Sequence, residues 1–241
     1  MNEVVRQPVQ YRVNGNDFEG CLLYQRDSRP DRGLLMAPNF FGISEKAIGE
    51  AQRHVSDRQV VFVMDPYGVA TRPTSPEQAG EAMMAVRTDN AELRARLVAA
   101  LDALRSEAGK LGVDGHRLAA CGYCFGGACV LELARSGADV RATITFHGLI
   151  ETPDPTSTQT IPGPVLVLNG ADDPMVSAQS KAAFKAEMDA VGADWQLVDF
   201  GATVHSFTDP SANMPGRSVY NAKVARRAYA AMNDLLDEVF G

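Results

Sequence analysis

The stretch Arg117-Leu118-Ala119-Ala120-Cys121-Gly122-Tyr123-Cys124-Phe125-Gly126-Gly127-Ala128-Cys129-Val130 constrains this chain more than any other. It opens as an apolar run of strand length and closes in residues that can start a helix. Between them lies Gly122-x-Cys124-x-Gly126, the spacing of a nucleophile elbow with sulfur in place of the usual hydroxyl. An elbow is a sharp strand-to-helix turn whose apex sits in a strained backbone conformation. A Cβ two residues to either side would collide with the crossing chain, which explains the glycines. The turn lifts the apical side chain clear of a sheet. It also sets the next N–H, at Phe125, at a helix N-terminus, where a developing oxyanion is stabilised. A helix N-terminus favours thiolate over thiol, so sulfur gains more from the position than oxygen would.

Three other readings of these residues stay open on the stretch alone. Cys121-Gly-Tyr-Cys124 is a C-x-x-C, which in a βαβ setting can mark a thiol redox pair. In that motif the first cysteine caps the helix, whereas Cys121 still belongs to the apolar strand. A phosphate loop lacks its Gly-Lys-Ser/Thr here, and Gly122-x-x-x-Gly126 lacks the dinucleotide spacing. The blandest reading is a cysteine buried in a tight turn, and only partner residues elsewhere exclude it.

The whole chain narrows the classes. Its 241 residues suit one α/β domain spanning 1–241. The 45% hydrophobic and 22% charged fractions are those of a globular protein. A net charge of -7 argues against nucleic acid or an anionic membrane as partner. No apolar run reaches spanning length and the N-terminus shows no signal-peptide core. With Cys121, Cys124 and Cys129 crowded together and Cys21 distant, no disulfide framework is spaced out, so the thiols read as reduced and the setting as cytoplasmic. No His/Asp/Glu cluster has metal-ligand spacing, so neither metal nor cofactor is expected. A monomer or small homo-oligomer fits.

Val9–Val13 and Phe18–Tyr24 flank Asn14-Gly15-Asn16, a strong hairpin signal. Leu34–Ala37 and Val60–Met64 read as strands buried on both faces. Between them Ser44 caps a helix with Ile48, Ala51 and Val55 on one side. Val69–Gln78, with prolines and no period, reads as a loop that covers the site. A long amphipathic helix is expected from about Ala91 to Ala108, with the charges from Arg87 to Glu107 on its wet face. After the elbow come a helix stopped near Gly137, strands at Ala142–Phe146 and Val165–Asn169, and a helix at Lys181–Ala190 with Gly192 as its stop. A strand at Trp195–Phe200 and a closing helix at Asn221–Phe240 complete the order. His54 and His116 read as exposed. Alternating strands and helices after a hairpin imply a mostly parallel sheet covered on both faces.

Functional residues in such sheets sit at the carboxyl ends of strands. Val165–Gly170 is followed by Ala171-Asp172-Asp173-Pro174-Met175-Val176, and the strand ending at Phe200 by Gly201-Ala-Thr-Val-His205-Ser206-Phe207. Nucleophile, acid, histidine is the chain order of α/β-hydrolases. Each part alone has a mundane explanation, a turn for the aspartates and a surface loop for the histidine. Their joint order does not.

Here the sequence resembles the dienelactone hydrolases of the α/β-hydrolase superfamily, from about Leu34 onward. The resemblance rests on Asn39-Phe40-Phe41-Gly42, Gly122-Tyr-Cys124-Phe-Gly-Gly127, Gly170-Ala-Asp-Asp173-Pro-Met-Val176 and His205-Ser206-Phe207. It implies an α/β-hydrolase fold without a lid domain, and a Cys124–His205–Asp173 triad. Asp173 is preferred to Asp172 because Val176 completes the family's D-x-x-V. The implied oxyanion donors are the N–H groups of Phe40 and Phe125. The implied activity is hydrolysis of a small ester or lactone, of the carboxymethylenebutenolidase type or a related esterase. Two positions depart from the family. A glutamate that takes part in activating the thiol is replaced by Asn39, and an arginine that grips a substrate carboxylate is replaced by Asp209. Arg72, Arg87 and Arg94 are the cations available to take over. The substrate-binding candidates are Asn39, Phe41, Tyr67, Tyr123, His147, Phe207, Asp209 and Arg87; for Tyr67 and His147 packing competes with a site role. The alternatives to an enzyme are a small-molecule binding protein on the same fold and a Cys121–Cys124 redox protein.

Overall fold

A computed structural model describes residues 3–241. The chain divides inside one strand, β5 (Leu118–Tyr123), into two compact units that end at Ala120 and begin at Cys121.

The first unit opens on β1 (Val4–Val13) and β2 (Asn16–Gln25), an antiparallel pair. Asn14 and Gly15 turn it at φ 48 and 84, the positive values that a two-residue hairpin needs. β2 pairs antiparallel with β4 (Gln59–Val63), and β4 pairs parallel with β3 (Arg32–Ala37). Residues 60–63 of β4 are buried, as the unbroken apolar run predicts, and the polar Gln59 before them is buried too. β3 in turn lies beside the segment entering β5, with the Gly33 N–H donating to Arg117 O at 2.9 Å. Ser44 caps α1 (Glu45–Ala51), its hydroxyl accepting from the Ala47 N–H.

Three expectations for this unit are corrected. The loop expected through Gln78 ends at Ser75, which caps α2 (Pro76–Arg87) by accepting from the Gln78 N–H at 3.3 Å. A proline at the first helical position is pre-set in φ and lacks only an N–H that no helix would use there. Arg87 therefore ends α2 rather than starting the wet face of α3 (Asn90–Lys110), which Asp89 caps separately. His54 is buried, not exposed, because a 3₁₀ turn over Gln52–His54 folds it inward. Burial, helped by the Arg53 charge, pulls its imidazole down to about 4. His116 is exposed as expected.

The second unit takes up β5 at Cys121 and adds β6 (Thr143–Phe146), β7 (Val165–Gly170) and β8 (Trp195–Phe200), paired parallel in that order from β6 onward. The first unit opens on the antiparallel hairpin and the second is parallel, a mostly parallel α/β fold as the alternating pattern predicts. α4 (Phe125–Arg135) follows β5, α5 (Ala178–Ala190) links β7 to β8, and α6 (Ala222–Phe240) closes the chain from an Asn221 cap. Gly137 and Gly192, at φ 75 and 65, stop α4 and α5 in the left-handed region where glycine is favoured. Leu131, Ile150, Val167, Phe184 and Met188 pack together in this unit. Arg135, fully buried, is held by both oxygens of Glu187 at 2.8 and 2.9 Å and by Glu132 at 3.0 Å. Among the described residues, no helix is long and apolar enough to cross a membrane.

Candidate active site

All six residues of β5 are buried, and α4 begins directly after Cys124. Cys124 occupies φ 54, ψ -116, a conformation that costs a non-glycine residue roughly 1–3 kcal/mol. Backbone bonds on both sides hold it there: its N–H donates to Phe146 O at 3.1 Å and its carbonyl accepts from the Gly127 N–H at 3.0 Å. A Cβ at Gly122 would overlap the Gly126 carbonyl, so the close approach expected from the motif is present. A second requirement, which the motif does not announce, is Gly127, where a Cβ would overlap Thr145 Oγ1 in β6. Tyr123 and Phe125 point into the core, leaving Cys124 half-buried as the residue of this turn that reaches outward. The Phe125 N–H leads α4, where the helix dipole favours negative charge.

The acid and the histidine are brought together by backbone. β7 ends at Gly170, where a Cβ would overlap the Thr203 carbonyl. The Asp172 N–H donates to that same Thr203 O at 3.0 Å, and the Ala171 N–H to Phe200 O at 2.9 Å. This contact sets His205 Nδ1 2.7 Å from Asp173 Oδ2, with both residues buried. The other Asp173 oxygen accepts from the Met175 N–H at 2.8 Å. Asp172 is exposed, so the geometry pairs His205 with Asp173. His205 is anchored further by the Val219 N–H on its carbonyl at 3.1 Å.

Electrostatics follow from this arrangement. Burial pushes the His205 imidazole down. The Asp173 hydrogen bond, the influence of Cys124 and the Asp173 charge together outweigh it and raise the ring to about 10. His205 Nε2 is buried without a partner at full hydrogen-bond geometry. The ring is a cation at neutral pH.

The remaining candidates of this unit are placed as follows. Tyr123 is buried and stacks on Phe146 at 4.8 Å between centroids. Phe207 is buried against Phe200 and His147. Both have packing roles beneath the site. His147 is buried at the end of β6, against His205. Asp209 is half-buried, and its Oδ1 accepts from the Ser211 N–H and hydroxyl at 2.9 and 2.8 Å, closing a local turn. Thr208, which bonds His147, was not among the sequence candidates; nothing in a lone threonine after His-Ser-Phe announces it.

In the first unit, Asn39 Oδ1 accepts from the Phe41 N–H at 3.0 Å, closing the turn after β3. The Tyr67 hydroxyl donates to Phe40 O at 2.7 Å, fixing the same turn. The Phe40 N–H has no hydrogen-bond partner among the described residues. Arg87 is half-buried at the end of α2, and Arg72 is tied to Asp65 at 2.8 Å. Among the described residues no group of three or more metal-ligating side chains is gathered.

Comparison with known proteins bears on the family and the fold. The model of the dienelactone hydrolase family matches residues 18–240. An uncharacterized protein of Caenorhabditis elegans is 38% identical over 160 residues, 63% of this chain and 96% of that protein. The solved structure of m3DLH superposes with a TM-score of 0.90 at 34% identity, covering 99% of each chain. P91, described as a dienelactone hydrolase-like promiscuous phosphotriesterase from metagenomic libraries, gives a TM-score of 0.89 at 35% identity, again over 99% of each chain.

Proposed function

The chain belongs to the dienelactone hydrolase family, and from that premise we propose that it hydrolyses a small carboxylic ester or lactone through Cys124. The observation that carries the reading is the 2.7 Å contact between His205 Nδ1 and Asp173 Oδ2 behind the Cys124 elbow. The Cys124 thiolate adds to the carbonyl carbon, and the Phe125 N–H stabilises the oxyanion. Collapse breaks the C–O bond, the alkoxide takes the proton from His205 Nε2, and a thioester remains. A water then gives its proton back to Nε2 and adds to the thioester. Thiolate leaves, the acid is released, and the imidazolium is restored. Asp173 keeps the proton on Nδ1 throughout and stabilises the cation.

The test is to mix enzyme with a p-nitrophenyl ester and follow intact mass. The reading expects an acyl adduct that maps to Cys124 and is lost in Cys124→Ala along with turnover. Steady turnover by Cys124→Ala refutes it. One product equivalent with no steady rate would instead favour a binding protein on this fold. A Cys121–Cys124 redox pair has little in its favour, since Cys121 is fully buried within β5 and starts no helix.

The likeness to P91 favours a second reaction at the same thiol. Attack on a neutral phosphotriester would form an S–P bond, expel an aryloxide that takes the His205 proton, and regenerate thiolate by hydrolysis. A nitrophenyl phosphotriester measured with wild type and Cys124→Ala decides it.

A further inference from the structure

We propose that His147 is a positioning residue for this chemistry: a buried ring, held by the Thr208 hydroxyl, that fixes the turn carrying His205 and packs edgewise on its imidazole. The proposal rests on the reading of Cys124 and His205 above.

His147 is the first residue past β6, and its N–H extends the ladder by donating to Leu168 O at 2.8 Å. Its φ is 40, a left-handed conformation rare for residues other than glycine and kept where surroundings enforce it. The surroundings are specific. Nε2 lies 2.7 Å from Thr208 Oγ1, and Thr208 is itself buried three residues after His205. The ring centre is 5.1 Å from that of His205 at 64° and 5.1 Å from Phe207 at 88°, with Tyr123 at 6.1 Å. Nδ1 is buried and makes no hydrogen bond outside its own residue. The Thr208 contact fits either neutral tautomer, with Nε2–H donating to the hydroxyl or the hydroxyl donating to Nε2.

The titratable groups facing this ring are His205, with Asp173 and Cys124 beyond it, and Tyr123. Burial first, and then the His205 charge, hold His147 well below its ordinary value. It stays neutral and is not a second base for the thiol. Its contribution is geometric. His205 is held by Asp173 at Nδ1, by the Val219 N–H at its carbonyl, and by His147 against its ring. Without the last, the ring can tilt and carry Nε2 away from the reacting atoms. A displacement of about 1 Å can cost on the order of 100-fold in rate.

Thr208→Val deletes the hydroxyl at nearly constant volume, and Thr208→Ser restores it. The expected result for the valine variant is a fall in kcat of about 10-fold or more with KM within about two-fold, as for an interaction needed in the transition state. The alkaline limb of its pH profile should move to lower pH, and the serine variant should recover most of the rate. In the unaltered protein, nitrogen-15 ring spectra should show His147 neutral while His205 is charged. An unchanged rate and pH limb in Thr208→Val overturns the proposal. So does a serine variant as impaired as valine, or a His147 that titrates in the neutral range. If Thr208→Val fails to fold, the ring spectra decide alone. Turnover by Cys124→Ala would sink the underlying reading instead, and so is a separate failure.

Discussion

Replacing Asp173 with asparagine removes the carboxylate that holds the His205 ring proton. Raising an imidazole from 6.5 to about 10 corresponds, at 1.36 kcal/mol per pH unit, to about 5 kcal/mol of preference for the cation within the fold. The Asp173 hydrogen bond is the largest upward contribution, and the burial that opposes it survives the substitution. The asparagine variant should therefore titrate His205 well below the wild-type value, with only Cys124 left to oppose burial. Its amide would also donate to Nδ1 and turn the ring to the wrong tautomer, with a reference loss of about ten-thousand-fold in a serine triad. Ring NMR across pH 5–11 reads the first effect and ester turnover the second. Because the folded-state value is raised, the stability from charged His205 is fully present below pH 6.5 and is lost as pH rises toward about 10. The melting advantage of wild type over Asp173→Asn should shrink across that window. A wild-type His205 that titrates near 6.5, or an Asp173→Asn ring that titrates where the wild type does, refutes the reasoning. Asp172→Asn is the control and should leave turnover nearly unchanged.

Further outcomes follow from other parts of the structure. By the sequence resemblance Asp209 replaces a substrate-gripping arginine, and on that expectation a free-acid substrate should be at least about tenfold worse in kcat/KM than its methyl ester, narrowing with salt; a better free acid would show that another cation has taken that role. His54 is held neutral, so stability is full above 6.5 and falls as pH drops toward about 4, by up to roughly 3 kcal/mol; denaturant melts of His54→Gln should show a flatter acid limb. Glu187→Ala takes away the two-oxygen partner of the buried Arg135 guanidinium, leaving Glu132 and the Ile150 carbonyl, and should cost about 3 kcal/mol in urea unfolding, whereas a loss near zero would mean that the cluster rearranges freely.

What the sequence determined by itself was local and short in range. Asn14-Gly15 sets its own turn because two successive positive φ values are needed there. Ser44 and Asn221 cap the helices they precede, each through one side-chain bond to an N–H three residues on. The strand-to-helix transition at Gly122–Gly127 was legible because the glycines are needed for contacts within a few residues. The order of Cys124, the Asp172-Asp173 pair and His205 was legible too, since each follows a strand. Tertiary structure decided what depends on which strand ends are neighbours. The choice between the two aspartates turns on the Asp172 N–H binding Thr203 O, a contact that aims Asp173 inward and leaves Asp172 in water. Pro73 and Pro76 looked like loop until the Ser75 cap made the second a helix start. His54 and His147 became buried, neutral groups only through packing, because desolvation belongs to a neighbourhood and not to a residue type. The His205 cation likewise exists through two partners, Asp173 and Cys124, separated from it by 32 and 81 positions along the chain.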